Sequence, residues 1–523
     1  MTNKNFRYIP HFLAALIPAL SGCSTAQTVP GVTVTNGLKT DAPVYNVVNF
    51  PAEKRENVIM VKGADTGWAI VLFPLNEYRG KQITIELSVD VKRTGAAGTL
   101  NWQINNNGEW PSVTSHENAA VGVWHKMKGR LFVTPSDNEP CLYLTNWGNN
   151  AKNTVYYVSN FSVTITEGDV LNPDLALTPI KSVYENYFPV GNIIDAKYAS
   201  GKYFEMFKHH YSMAASTVTF PDNLAPYNKG GDYRWDAADR IINLMAYNGI
   251  PVHGHVLIWH ESSPEWLTTG TKDEVKSNLE QYINMVLTHF KGRINSWDVV
   301  NEAIRDGLTA SQVSGNWKNC VRTSTPWMKN PWYDKLGGDY IELAFRTARA
   351  VNPDVTLYYN DYNLHDQNKA EAVRKMIKDI NDRYKSETGG DRNLIEGLGM
   401  QSHYYGLDLN VEDVRKSLEK FITLGVEISI SELDVSTISY QRGNGKDSVI
   451  SEKDETAQAV IYAKLFSLYK EYSAYIKRVN MWGMDDGSSW ISAGNPCLFD
   501  WKLNAKKAYH AVIDPEGFLD KPY

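Results

Sequence analysis

Two stretches decide the reading of this chain: Trp297-Asp298-Val299-Val300-Asn301-Glu302-Ala303 and Glu427-Ile428-Ser429-Ile430-Ser431-Glu432-Leu433-Asp434. Each is an apolar, β-branched run that reaches a glutamate with polar residues beside it. Burying a carboxylate costs free energy unless it is partnered, so such a residue is rarely there for packing. A single Glu at a strand end is commonly a surface or ion-paired residue. Two of them, each closing a hydrophobic strand where strands and helices alternate, point instead to chemistry. Paired carboxylates are the equipment for cleaving a glycosidic bond, one as acid and one as nucleophile or base.

Outward from these stretches the texture is regular from about residue 185. Over Lys272–Phe290, Val275, Leu279, Tyr282, Val286 and Phe290 fall on one helical face. Thr271 and Glu274 supply a capping-box pattern at its start. The helical segments 236–248 and 412–424 run into Gly249 and Gly425, good C-terminal stops. Strands are expected at 188–194, 209–215, 251–257, 295–301, 356–361, 396–402, 426–432 and 478–484. Eight such βα units predict an α/β fold, a (β/α)8 TIM barrel over about residues 180–520. Both glutamates then close strands, the fourth and the seventh, on the face where such barrels build their sites.

Residues 43–168 read differently. Gln82–Val89, Leu100–Ile104, Lys126–Val133 and Phe161–Ile165 alternate with period two, separated by turns such as Asn105–Gly108 and Gly148–Asn150. That pattern predicts an all-β sandwich. Trp102, Trp110, Trp124 and Trp147 fall within it, and the core is the expected place for each. Before it, Lys4 and Arg7 precede an apolar run, Phe12–Leu20, too short to span a bilayer. Leu20-Ser21-Gly22-Cys23 resembles a bacterial lipobox. Residues 1–22 are thus expected to be a signal peptide, Cys23 the lipidated residue, and 23–42 a tether. The resemblance implies a cell-envelope lipoprotein on the outer membrane, facing the cell surface or the periplasm. Three cysteines remain, Cys141, Cys320 and Cys497; an odd number leaves at least one thiol unpaired, and a Cys320–Cys497 bridge is compatible with export.

Bulk properties agree. A chain of 523 residues exceeds one ordinary core, and 43% hydrophobic with 21% charged residues describes a globular protein. The net charge of -6, with no basic patch, argues against a nucleic-acid partner. The 15 Trp and 30 Tyr would suit sugar rings, although large barrels use many aromatics anyway. No metal-ligand spacing stands out, no cofactor is needed for this chemistry, and a monomer is the default expectation.

The motifs, taken together, resemble glycoside hydrolase family 10, the β-1,4-xylanases. "HGHVLIWH" at 253–260, "WDVVNEA" at 297–303, "YYNDYNL" at 358–364, "MQSHYYG" at 400–406 and "ISELDV" at 430–435 occur in the family's order. The resemblance covers about residues 185–515 and implies xylan or xylo-oligosaccharides as substrate. It implies Glu302 as general acid/base, Glu432 as nucleophile, and Asn301 as a hydrogen-bonding partner of the sugar 2-OH. It implies that His403 contacts the nucleophile and pairs with Asp434, and that Gln401 lies near the nucleophile. His255, Trp259 and His260 would bind the sugar at the cleavage point, with Trp482 and Trp490 as platform and lid. For Asn360 and Tyr362 a structural role is at least as well supported. The sandwich resembles xylanase-associated carbohydrate-binding modules. A retaining mechanism is implied, with Glu302 protonated near neutral pH and Glu432 ionised.

Two departures stand out. Where the family carries Glu-Asn-x-Met-Lys after strand two, this chain reads Ser212–Pro221, with neither Asn nor Lys. That change implies altered substrate positioning rather than lost chemistry. The segment from Glu302 to about Gly338 is long and holds Trp317, Trp327 and Trp332, which would either build subsites or fold the loop onto itself. Two other functions fit the same residues: a weak or inactive surface glycan-binding protein, and a retaining β-glucanase.

Overall fold

The computed structural model describes residues 32–521, except 36, 41–44, 63–68, 96–97, 106–111, 134–139, 148–153, 169–170, 327 and 440–449. The signal segment, Cys23, most of both turns, Trp110, Trp327 and the Trp147 side chain therefore lie outside the described residues. The chain divides at Val170/Leu171 into two compact units.

The first unit is two antiparallel sheets. One holds Val32–Thr35, Leu38–Thr40, Ala69–Pro74, Cys141–Trp147, Gly98–Ile104 and Ser112–Ala119, in that spatial order. The other holds Tyr45–Phe50, Arg55–Lys62, Val155–Glu167, Ile83–Arg93 and Trp124–Val133. Alternation along Ile83, Ile85, Leu87, Val89 and Val91 turns one face inward, where it meets Leu100, Trp102, Leu142 and Leu144. Trp102 is fully buried, as expected of a core Trp. Trp124 instead sits at an edge, donating from Nε1 to Glu53 and lying under Arg55 at 4.2 Å. Part of the span expected as a tether, 23–42, is strand. Val32-Thr33-Val34-Thr35 is itself β-branched, and it pairs across Gly37 with Leu38–Thr40, whose Leu38 is buried.

The second unit is the barrel. Its strands are β1 (Val190–Ile193), β2 (Met213–Ser216), β3 (Val252–Trp259), β4 (Ser296–Asn301), β5 (Thr356–Asp361), β6 (Gly397–Met400), β7 (Glu427–Ser436) and β8 (Ile476–Met481). Each pairs in parallel with the next, and β8 pairs with β1, closing the cylinder. The strands are short apolar runs because helices cover their outer face, so both faces are buried. Close packing shows at Gly254, where a Cβ would lie 2.2 Å from the Trp297 ring. The helices start and stop where their signals say. Lys272–His289 begins with the complete Thr271/Glu274 capping box, and Val411–Ile422 is followed by Gly425 at φ +62°.

Two boundaries differ most from the sequence reading. β2 starts at Met213 rather than 209, because the helix Gly201–His210 continues through Lys208-His209-His210. β7 runs on to Ser436, and its outer half pairs with a short strand, His403–Tyr405.

Candidate active site

β4 ends at Asn301, and Glu302 turns off it in a left-handed conformation, φ +57°. For a residue with a Cβ this costs on the order of 1–2 kcal/mol, so it persists only where the surroundings hold it. They do. Glu302 N donates to the Asn360 carbonyl at 2.9 Å, and the N–H groups of Ala303 and Ile304 both donate to the Tyr359 hydroxyl, at 3.0 and 3.1 Å. The carboxyl is gripped from two sides, by Trp259 Nε1 on Oε2 and Gln401 Nε2 on Oε1, each at 3.0 Å.

Glu432 lies within β7 and is 5% exposed. Asn360 Nδ2 donates to its Oε1 at 2.6 Å, and His403 Nε2 lies 3.2 Å from its Oε2. His403 bridges onward to Asp434 Oδ2 at 2.9 Å, which also accepts from Trp490 Nε1 at 2.9 Å. Alternation puts Glu432 and Asp434 on one side of the strand, so a single imidazole reaches both. Behind Glu432, His255 Nε2 stands 3.8 Å from Oε1, while its Nδ1 contacts the buried Asp298 at 2.8 Å.

The two glutamates are joined through amides. Gln401 Nε2 bonds both Glu302 and Asn301 Oδ1, and Asn360 Nδ2 bonds both Asn301 Oδ1 and Glu432. Asn301 Oδ1 is thus fully used as an acceptor, and the amide NH2 is what Asn301 can offer to a ligand.

Electrostatics acts strongly on Glu302 and His403. Burial, reinforced by the charges of Asp361 and Glu261, raises the Glu302 pKa to about 7 against the opposing hydrogen bonds from Gln401 and Trp259. Burial alone would strip the proton from His403. Asp434 and Glu432 outweigh it and lift the imidazole to about 10, which places a cation against both side chains.

The raised Glu302 carries a stability consequence. An acid whose folded pKa exceeds its unfolded 4.5 adds no penalty below that pH, and the penalty grows through the window up to 7. Above pH 7 it amounts to about 3 kcal/mol. Glu302→Gln is therefore expected to melt higher than the parent at pH 8 and close to it at pH 4.5, read by calorimetry at both.

These residues open onto a cleft of about 630 Å³. His255, Trp259, Asn301, Gln401, His403, Trp482 and Trp490 line it with both glutamates. Asp434 reaches it only through His403 and Trp490. His260 does not line the cleft: it is half-buried beside the Trp259 ring, and burial lowers its pKa to about 3. From the departing stretch after β2, Thr217 and Phe220 reach the wall, with Phe220 5.4 Å from both the His255 and Trp259 rings. In the long loop after β4, Trp317 and Trp332 are buried, donating to Asp379 and Ser263. They bind the loop to the barrel, and Asp306 and Met328 are described loop residues that meet the cleft. Cys320 and Cys497 are free, buried thiols, so no Cys320–Cys497 bridge forms.

Comparison with known proteins decides the family. The model of glycosyl hydrolase family 10 matches residues 179–515. The chain belongs to glycosyl hydrolase family 10. Relatives of this family 10 chain include endo-1,4-beta-xylanase A of Thermotoga neapolitana, 34% identical over 69% of this chain and 33% of that protein. A beta-1,4-xylanase of Dictyoglomus thermophilum is 31% identical over 65% of this chain and 91% of its own length. The crystal structure of a bacterial Ig-like-domain-containing GH10 xylanase from termite gut superposes with a TM-score of 0.60 at 33% identity, covering 70% of this chain and 84% of that one. The chain spans about a third of the length of the Thermotoga relative.

Proposed function

We propose that this protein hydrolyses internal β-1,4-xylosidic bonds of xylan with retention of configuration. Its acid/base would be Glu302 and its nucleophile Glu432. The observation that carries this reading is the unlike environment of two cleft carboxyls linked by one amide chain. One is raised to about 7 and the other is faced by Asn360 and the His403 cation. In the first step Glu432 attacks C1 of the sugar while the Glu302 proton passes to the departing glycosidic oxygen. That breaks the C1–O bond and leaves a glycosyl ester on Glu432. In the second step Glu302, now a carboxylate, takes a proton from water, whose oxygen attacks C1 and frees Glu432. Asn301 would offer its NH2 to the 2-OH, where charge support grows as C1 becomes cationic.

The similarity to xylanases supports xylan as the polymer. Release of oligosaccharides from arabinoxylan and glucuronoxylan, with little from mixed-linkage glucan and cellulose, is the expected result of an activity panel. Binding without release would favour a glycan-binding barrel, and preferred release from glucan a β-glucanase.

Thr217 and Phe220 offer less hydrogen bonding than an Asn and a Lys. Each bond missing from the substrate amounts to about 1 kcal/mol, or roughly fivefold in affinity. Phe220→Lys is expected to lower KM for xylotriose by about that factor with kcat unchanged, the sign of binding shared by ground and transition states.

A further inference from the structure

Arg322, on the long loop after β4, is 5% exposed, and its guanidinium points at the backbone of Glu302 rather than at the cleft. Nε donates to the Glu302 carbonyl at 3.0 Å. Nη2 donates to the Ile304 carbonyl at 3.3 Å and to the Tyr362 hydroxyl at 2.7 Å. Its own N–H donates to the Ala303 carbonyl at 2.7 Å, so one residue takes up three successive carbonyls after β4. On the other side of the same peptides, Tyr359 takes the N–H groups of Ala303 and Ile304.

The clamp closes around a left-handed residue. Glu302, with φ at +57°, would relax to an ordinary conformation if its carbonyl lost its donor, and the carboxyl would swing out of the Trp259–Gln401 grip. Arg322 is anchored in turn. Asn330 Nδ2 donates to the Arg322 carbonyl at 2.9 Å. Asp306 stands 3.6 Å from Nη2, and Lys369 ties Asp306 to Asp361, each at 2.9 Å. A lysine cannot reproduce this fork, because its ammonium is a point donor on a flexible stem.

We propose that Arg322 is a positioning residue that holds Glu302 in the geometry an acid needs, so that the loop after β4 serves proton delivery. This rests on the reading of Glu302 as the acid, and the test separates the two. A glycosidic oxygen leaves as an alcohol and needs the proton, whereas 2,4-dinitrophenolate leaves without one. The value of kcat/KM, which reports glycosylation, is measured on xylohexaose and on 2,4-dinitrophenyl β-xylobioside for parent, Glu302→Gln, Arg322→Met and Arg322→Lys.

Glu302→Gln is expected to lose about 10²–10⁴-fold on xylohexaose and little on the activated glycoside. Arg322→Met is expected to follow it, losing about 10²-fold on xylohexaose and less than about threefold on the activated glycoside, with Arg322→Lys between it and the parent. Retained turnover of the activated glycoside shows in the same sample that the barrel is folded. Equal losses on both substrates in a variant that melts like the parent would overturn the proposal, as would unchanged hydrolysis of xylohexaose. If Arg322→Met does not fold, the same ratio in Arg322→Lys decides. Should Glu302→Gln itself lose both substrates equally, the acid assignment fails and the proposal goes with it.

Discussion

Glu432→Gln is expected to lower kcat on xylan by more than about 10⁴-fold while leaving the fold in place. The argument is local. The amide fills the same space within β7 and still accepts from Asn360 through its oxygen, so packing changes little. It cannot form an ester with C1, and the step that splits one difficult displacement into two is gone. Glu432→Ala sharpens the test, because the space it leaves admits azide. Azide attacking from that face displaces the leaving group directly and gives the α-glycosyl azide. Turnover in Glu432→Gln above about 1% of the parent, or a β-azide from Glu432→Ala, would contradict the assignment.

The second large effect belongs to Glu302. Its proton is present below about pH 7 and lost above it, so kcat/KM on xylan is expected to fall about tenfold per pH unit on the alkaline side. Glu302→Gln should lower that activity by about 10²–10⁴-fold and abolish the alkaline limb, since nothing in its place titrates. Azide added to Glu302→Ala should speed breakdown of the glycosyl ester and give the β-glycosyl azide, because attack then comes from the face opposite Glu432. An alkaline limb that survives in Glu302→Gln would assign the titration to another group.

The barrel was legible because its signals are local. Apolar runs, capping boxes and terminal glycines each act within a turn or two, and β4 ends beside its glutamate. β2 was misplaced because Lys208–His210 can continue a helix as readily as open a strand. Val32–Thr35 reads as a loop because a run of four β-branched residues is too short to carry a strand signal of its own until a sheet accepts it.

In the site, alternation foresaw Asp434 beside Glu432. It could not foresee Asp298, since the register shift between Asp298 and Val300 lets Asp298 and Asn301 both face inward. For Asn360 the sequence leaves structural role and ligand contact both open, and the fold sets its amide on Glu432. Arg322 had no readable signal. It stands 20 residues beyond Glu302 in a loop, and only the folded chain brings the two together.

The most direct measurement of the central claim is proton NMR of the first sugars released from xylohexaose, recorded before mutarotation. Retention through a glycosyl ester on Glu432 predicts that the new reducing end appears first as the β-anomer and drifts to the equilibrium mixture. An α-anomer appearing first, or no release at all from a folded protein, would contradict the account.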